Sequence, residues 1–112
     1  MEKIGQGNVT SGNGCKGVLR VVESVADVLR LLKEDLSNVI LLTPTASATI
    51  MTPLFPRITG IICTSGGPTS HVAIVAREFD LACVMGVEFS RDEALDGSTI
   101  RVNEHGEIFA ES

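Results

Sequence analysis

The residues best placed to do chemistry lie in one run, Thr64-Ser65-Gly66-Gly67-Pro68-Thr69-Ser70-His71-Val72-Ala73-Ile74-Val75-Ala76-Arg77-Glu78. A strand end, two glycines, two hydroxyl residues and a histidine stand in series at the mouth of a helix. Gly66 and Gly67 allow backbone angles and a close approach that a side chain would forbid. Thr69 or Ser70 can cap the helix that begins near His71. The first-turn amides of that helix carry partial positive charge and stabilise an anion, for which phosphate is the natural candidate. An ordinary imidazole, with a pKa of roughly 6.5, keeps one nitrogen unprotonated near neutral pH. If a local acceptor holds the ring N–H, the other nitrogen is aimed at phosphorus, and covalent catalysis through a phosphohistidine splits one hard transfer into two easier ones. Arg77 is the only basic residue within ten positions of His71 in sequence.

Other readings of the same residues stand beside this one. On spacing alone, a lone histidine after a Gly-Gly turn is more often a residue of the helix start than a catalyst. A serine nucleophile is disfavoured because no Gly-x-Ser-x-Gly elbow exists. Cys63, His71 and Cys83 have no recognised metal-ligand spacing, so no metal is expected. His105, in a turn before Gly106, reads as an exposed loop residue.

The elements that must position His71 are legible around it. The first seventeen residues hold five glycines, which predicts a loop or a tightly turning strand. These glycines precede a strand, Val18 to Val22, and so do not form a dinucleotide fingerprint. Ser24 and Asp27 have capping-box spacing. Val25, Val28, Leu29, Leu32 and Leu36 then predict an amphipathic helix of about twelve residues. Val39 to Leu42 and Gly60 to Cys63 read as strands covered on both faces. A short helix is expected around Ala48 to Phe55, and a buried helix over Val72 to Phe79. Ala82 to Met85 predicts a third short strand ending at Gly86, and the tail predicts a hairpin of Ser98 to Val102 with Glu107 to Ala110. Strands alternate with helices in the middle and pair at the ends, so the expectation is a mixed α/β domain of β/β/α arrangement, one unit over residues 1–112.

Composition bounds the chemistry. A chain of 112 residues is one domain, with no second domain to form a cleft for two sizeable substrates. Its net charge of −5, with no Trp or Tyr and four Phe, gives no basic groove and few stacking platforms for nucleic acid. Apolar runs fall far short of the roughly 20 residues that span a bilayer, and no hydrophobic signal region opens the chain. Three cysteines without a CxxC pair read as reduced thiols in a cytoplasmic protein.

The segment Thr64 to Gly86 resembles the phosphohistidine signature of the phosphoenolpyruvate-utilising enzymes, which include pyruvate phosphate dikinase, phosphoenolpyruvate synthase, enzyme I of the sugar phosphotransferase system and rifampicin phosphotransferase. That signature runs roughly T-x-G-G-x-T-S-H-x-A-I-x-A-R-E-x-G-I-P-A-V-x-G. Thr64, Gly66, Gly67, Thr69, Ser70, His71, Ala73, Ile74, Ala76, Arg77, Glu78, Val84 and Gly86 match it. Asp80 stands where the signature has glycine and Ala82 where it has proline, which touches the helix exit and not His71.

The resemblance implies a swivelling β/β/α phosphohistidine domain in which His71 accepts and donates a phosphoryl group. Gly66, Gly67, Thr69 and Ser70 would then shape the phosphate pocket. Arg77 would either contact phosphate or pair within the domain with Glu78 or Asp80. Thr69 holds the place of a regulatory phosphorylation target in the dikinase and synthase branches. The partners implied are an ATP-binding domain or subunit, carrying ATP and magnesium, and a phosphoenolpyruvate/pyruvate-binding one. No cofactor is implied in this domain, which is not expected to turn over alone. A different function class is a regulatory or binding module that kept the fold without catalysis, which a His71 ring buried against Val72 or Ile74 would favour.

Overall fold

A computed structural model describes residues 2–44, 51–67, 69–90 and 97–111. The elements in order are β1 (Glu2–Ser11), β2 (Cys15–Val21), α1 (Val25–Leu31), β3 (Val39–Thr43), a 3-10 turn (Thr52–Arg57), β4 (Gly60–Cys63), α2 (His71–Glu78), β5 (Ala82–Phe89), β6 (Thr99–Val102) and β7 (Glu107–Ala110). Strands β2, β3, β4 and β5 are parallel neighbours. β6 and β7 form the antiparallel hairpin, β6 pairs with β2, and β1 lies antiparallel between β5 and β7. The mixed α/β class is as expected. The arrangement is not the layered β/β/α one: hydrogen bonds run round the whole circuit β1-β5-β4-β3-β2-β6-β7, a closed barrel. β1 makes the difference, because it pairs along both of its edges.

The all-apolar runs follow from this. Along β3, Val39 and Leu41 join one core beneath the helices, while Ile40 joins the other, inside the barrel. β4 does the same with Ile61 and Cys63 outward and Ile62 inward. Each strand is therefore covered on both faces, as parallel strands with helical crossovers are. Val28, Leu31, Leu54, Phe55, Val72, Ala73 and Ala76 supply the helical side of the outer core. Across it, Phe55 and Phe79 meet edge to face with ring centroids 6.0 Å apart.

Several boundaries differ from expectation. The entry is a ten-residue strand, glycines included. α1 stops at Leu31. Leu36 is buried from the following loop, and Leu29, inside α1, is 57% exposed. β5 does not end at Gly86 but runs to Phe89. The expected short helix is the 3-10 turn from Thr52, and residues 48–50 lie outside those described.

Candidate functional site

Helix α2 leaves the carboxyl end of β4 and returns to the amino end of β5, so its first residue, His71, stands at the carboxyl ends of the parallel strands. Ligands of parallel α/β sheets bind at that edge. The loop from β4 is pinned to its neighbour: the Thr64 amide donates to the Thr43 carbonyl at 3.1 Å and the Ser65 hydroxyl to the Pro44 carbonyl at 2.8 Å. Gly66 then takes a left-handed φ of 82°, which a side chain would strain. The turn closes on the helix through Ser70, whose amide (3.0 Å) and hydroxyl (2.7 Å) both donate to the Gly67 carbonyl.

That double bond corrects the capping expectation. Ser70 occupies the N-cap position, but its hydroxyl is turned back onto Gly67 and makes no cap bond to the helix amides. Thr69 is exposed in the turn before it. The Ser70 side chain therefore caps none of the amides that open α2. Val72 and Ala73, both fully buried, fix the helix start against the core, while His71 itself is exposed.

Gly66, Gly67, Thr69, Ser70 and His71 thus share one edge of the molecule. Arg77 stands at the other end of α2, six residues or about 9 Å of helical rise away. There its Nε donates to the Thr10 carbonyl of β1 at 3.2 Å. Cys63 and Cys83 are buried while His71 is exposed, and among the described residues no group of three metal-binding side chains gathers.

The structure adds two residues that the linear spacing did not single out as site residues, Gly86 and Asn8. Gln6 faces Glu88 across β1 and β5 while Asn8 faces Met85, so β5 carries an extra residue between them. Gly86, with φ 63°, sits in that bulge. A Cβ there would lie 3.4 Å from the Gly66 carbonyl oxygen and 3.8 Å from Asn8 Nδ2. Gly86 was visible in the sequence as a strand-end glycine. Asn8, nearly eighty residues away along the chain, carried no local signal.

The family model of the PEP-utilising enzyme mobile domain matches residues 36–106, which take in the whole of this loop, α2 and the bulge. The chain belongs to that family. This mobile domain is 32% identical over 88 residues to chondramide synthase of Chondromyces crocatus and 36% identical over 84 residues to rifampicin phosphotransferase of Bacillus subtilis. Those matches cover 79% and 74% of the chain but only 2% and 10% of the two relatives, so the chain spans a tenth or less of their length. Among solved structures, the N-terminal domain of Enzyme 1 (Nitrogen) aligns with a TM-score of 0.54 at 28% identity, covering 66% of this chain and 32% of that one. Aconitase X of Thermococcus kodakaraensis aligns with a TM-score of 0.63 over 96% of this chain and 98% of that one. At 15% identity it is a likeness of fold alone. Membership of the mobile-domain family, with phosphotransferase and phosphoenolpyruvate synthase relatives, is consistent with a phosphoryl carrier domain. No helix among the described residues is long and apolar enough to cross a membrane.

Proposed function

We propose that residues 1–112 form a single swivelling carrier domain in which His71 takes a phosphoryl group from one partner and gives it to another. The observation that carries this reading is the exposure of His71 on a helix start whose next two residues are buried. A ring held for packing would be covered, and cover is what would have favoured the non-catalytic reading.

In the transfer, the lone pair of the neutral ring nitrogen attacks phosphorus. An N–P bond forms while the bond from phosphorus to the donor oxygen breaks, and that oxygen keeps the electron pair. An oxygen of the acceptor later attacks the same phosphorus, and the N–P electrons return to the ring. The Gly66–Gly67 backbone and the opening amides of α2 receive the phosphoryl oxygens, while Ser70 keeps the turn closed and Thr69 stands exposed beside them. Arg77 serves by tying the far end of α2 to β1.

By the family relation, the donor is ATP, with magnesium, on an ATP-binding domain or subunit, and the other station binds phosphoenolpyruvate or pyruvate. The domain does not turn over without them. A cytoplasmic setting suits such partners, and the three free cysteines support it. The test is to incubate the protein with ATP, with phosphoenolpyruvate and with candidate partner domains, and to follow an acid-labile label. His71→Ala is expected to abolish labelling; a label that persists in that variant overturns the proposal.

A further inference from the structure

β1 runs alongside α2, whose Arg77 bonds the Thr10 carbonyl, and two residues before Thr10 Asn8 faces Met85 beside the bulge, with Gly86 between it and the glycine turn that leads to His71. Without the bulge, β5 would keep its alternation. With it, Val84 and Val87 both face the barrel interior, and Gly86 is left on the outer face between Asn8 and the glycine turn. Because Gly86 has no side chain, the space between Asn8 Nδ2 and the Gly66 carbonyl stays open. It leads into a groove of about 480 Å³ lined by Lys3, Gln6, Asn8, Gly86, Glu88 and Phe89, among others. Lys3, the one cation among the described residues lining that groove, is paired with Glu107 at 3.0 Å, and Gln6 Nε2 donates to the His105 carbonyl at 3.1 Å. Both are engaged away from the glycine turn, whereas Asn8 Nδ2 and the Gly66 carbonyl oxygen both lie within 4 Å of the point where a Gly86 Cβ would stand.

We infer that Asn8 is a further residue of the phosphoryl site, its amide donating a hydrogen bond to an oxygen of the group in transit on His71. This rests on the carrier reading above. The chemistry suits a carrier: a neutral amide donor stabilises a phosphoryl oxygen without holding it as a guanidinium fork would, so the group can leave again.

Phosphoramidate, a small donor that needs no partner, provides the test. The ring nitrogen attacks its phosphorus, the P–N bond breaks, and the nitrogen departs as ammonia with a proton from solution. His105, 73% exposed in its side chain in the turn between β6 and β7, serves as the internal reference for labelling rates read by 31P NMR. Wild type is expected to label His71 faster than His105. Asn8→Ala is expected to lower the His71 rate about tenfold, the worth of one hydrogen bond to a charged group, with the His105 rate unchanged. Asn8→Asp should lower it further, by a factor that shrinks as salt screens the added charge. Gln6→Ala, a neighbouring groove substitution, should leave the rate as it is. If Asn8→Ala and Asn8→Asp label at the wild-type rate, or fall equally with no salt dependence, the assignment of Asn8 is overturned while the carrier reading stands. If wild-type His71 reacts no faster than His105, both are overturned.

Discussion

Asp80 shows how one residue departs from its family at a known cost. It has φ 57°, the only non-glycine residue with positive φ among those described. The helix exit around it closes with the Asp80 amide on the Arg77 carbonyl (3.2 Å) and the Leu81 amide on the Ala76 carbonyl (2.9 Å), the pair of bonds that favours glycine at the left-handed position. So the substitution seen in the sequence left the exit geometry intact, and the side chain bears the strain. Its carboxylate also faces the negative end of the helix. Asp80→Gly is therefore expected to stabilise the domain by about 0.5–1 kcal/mol, seen as a higher urea midpoint at unchanged slope. A lower midpoint would mean that the carboxylate makes a bond outweighing the strain. Cys15 gives a pH dependence. Burial pushes its thiol up to about 11 from the ordinary 9.0, and burial raises Cys83 as well. Between those two values the unfolded chain releases the Cys15 proton and the folded one keeps it, so stability falls as pH rises, at up to about 1.4 kcal/mol per pH unit. Cys15→Ala should flatten the stability profile between pH 9 and 11, as followed by denaturant titration at each pH. An unchanged slope would count against this assignment.

At the scale of elements, legibility tracked how local the cause was. The capping of α1 was readable because it is a matter of neighbours: Ser24 accepts from the Asp27 amide at 3.4 Å, and Asp27 accepts from the Glu23 amide at 2.9 Å. That amide, with Arg30 close by, also holds the Asp27 carboxyl below the usual range. The length of α1 was not readable, since Leu36 repeats the helical spacing yet reaches the core from a loop. β3, β4 and α2 were legible as unbroken apolar runs. β1 was legible only as a choice between a loop and a tightly turning strand, because Gly5, Gly7 and a polar pattern give no strand propensity of their own; its conformation comes from the two strands it joins. The glycine turn and His71 were legible from the motif, and the Gly86 bulge was not, because only pairing with β1 reveals the extra residue. The layer on which α2 rests has one aromatic contact to probe. Phe55→Ala removes a fully buried ring from beneath α2 and is expected to cost about 3–5 kcal/mol, read as a fall in the urea midpoint. A loss below about 1 kcal/mol would show that the layer closes over the gap.

For the molecule as a whole, closure of the barrel was beyond the sequence because it depends on β7 pairing with β1 from the opposite end of the chain. Charge was legible from the start. The domain carries −5, and phosphorylation adds up to about two more negative charges. Partner surfaces that receive His71 should therefore be basic, and partner-driven labelling should slow markedly between about 0.05 and 0.5 M salt. A rate indifferent to salt would remove charge from the account of docking. The pairing that closes the barrel also sets Glu2 opposite Ala110 on adjacent strands. Chain attached at the two ends would therefore leave from a single spot on the wall, like a door hung on one hinge. If the domain swivels as proposed, turning about that spot would carry His71 through an arc while every strand keeps its partners, and the few residues at the hinge would govern its travel.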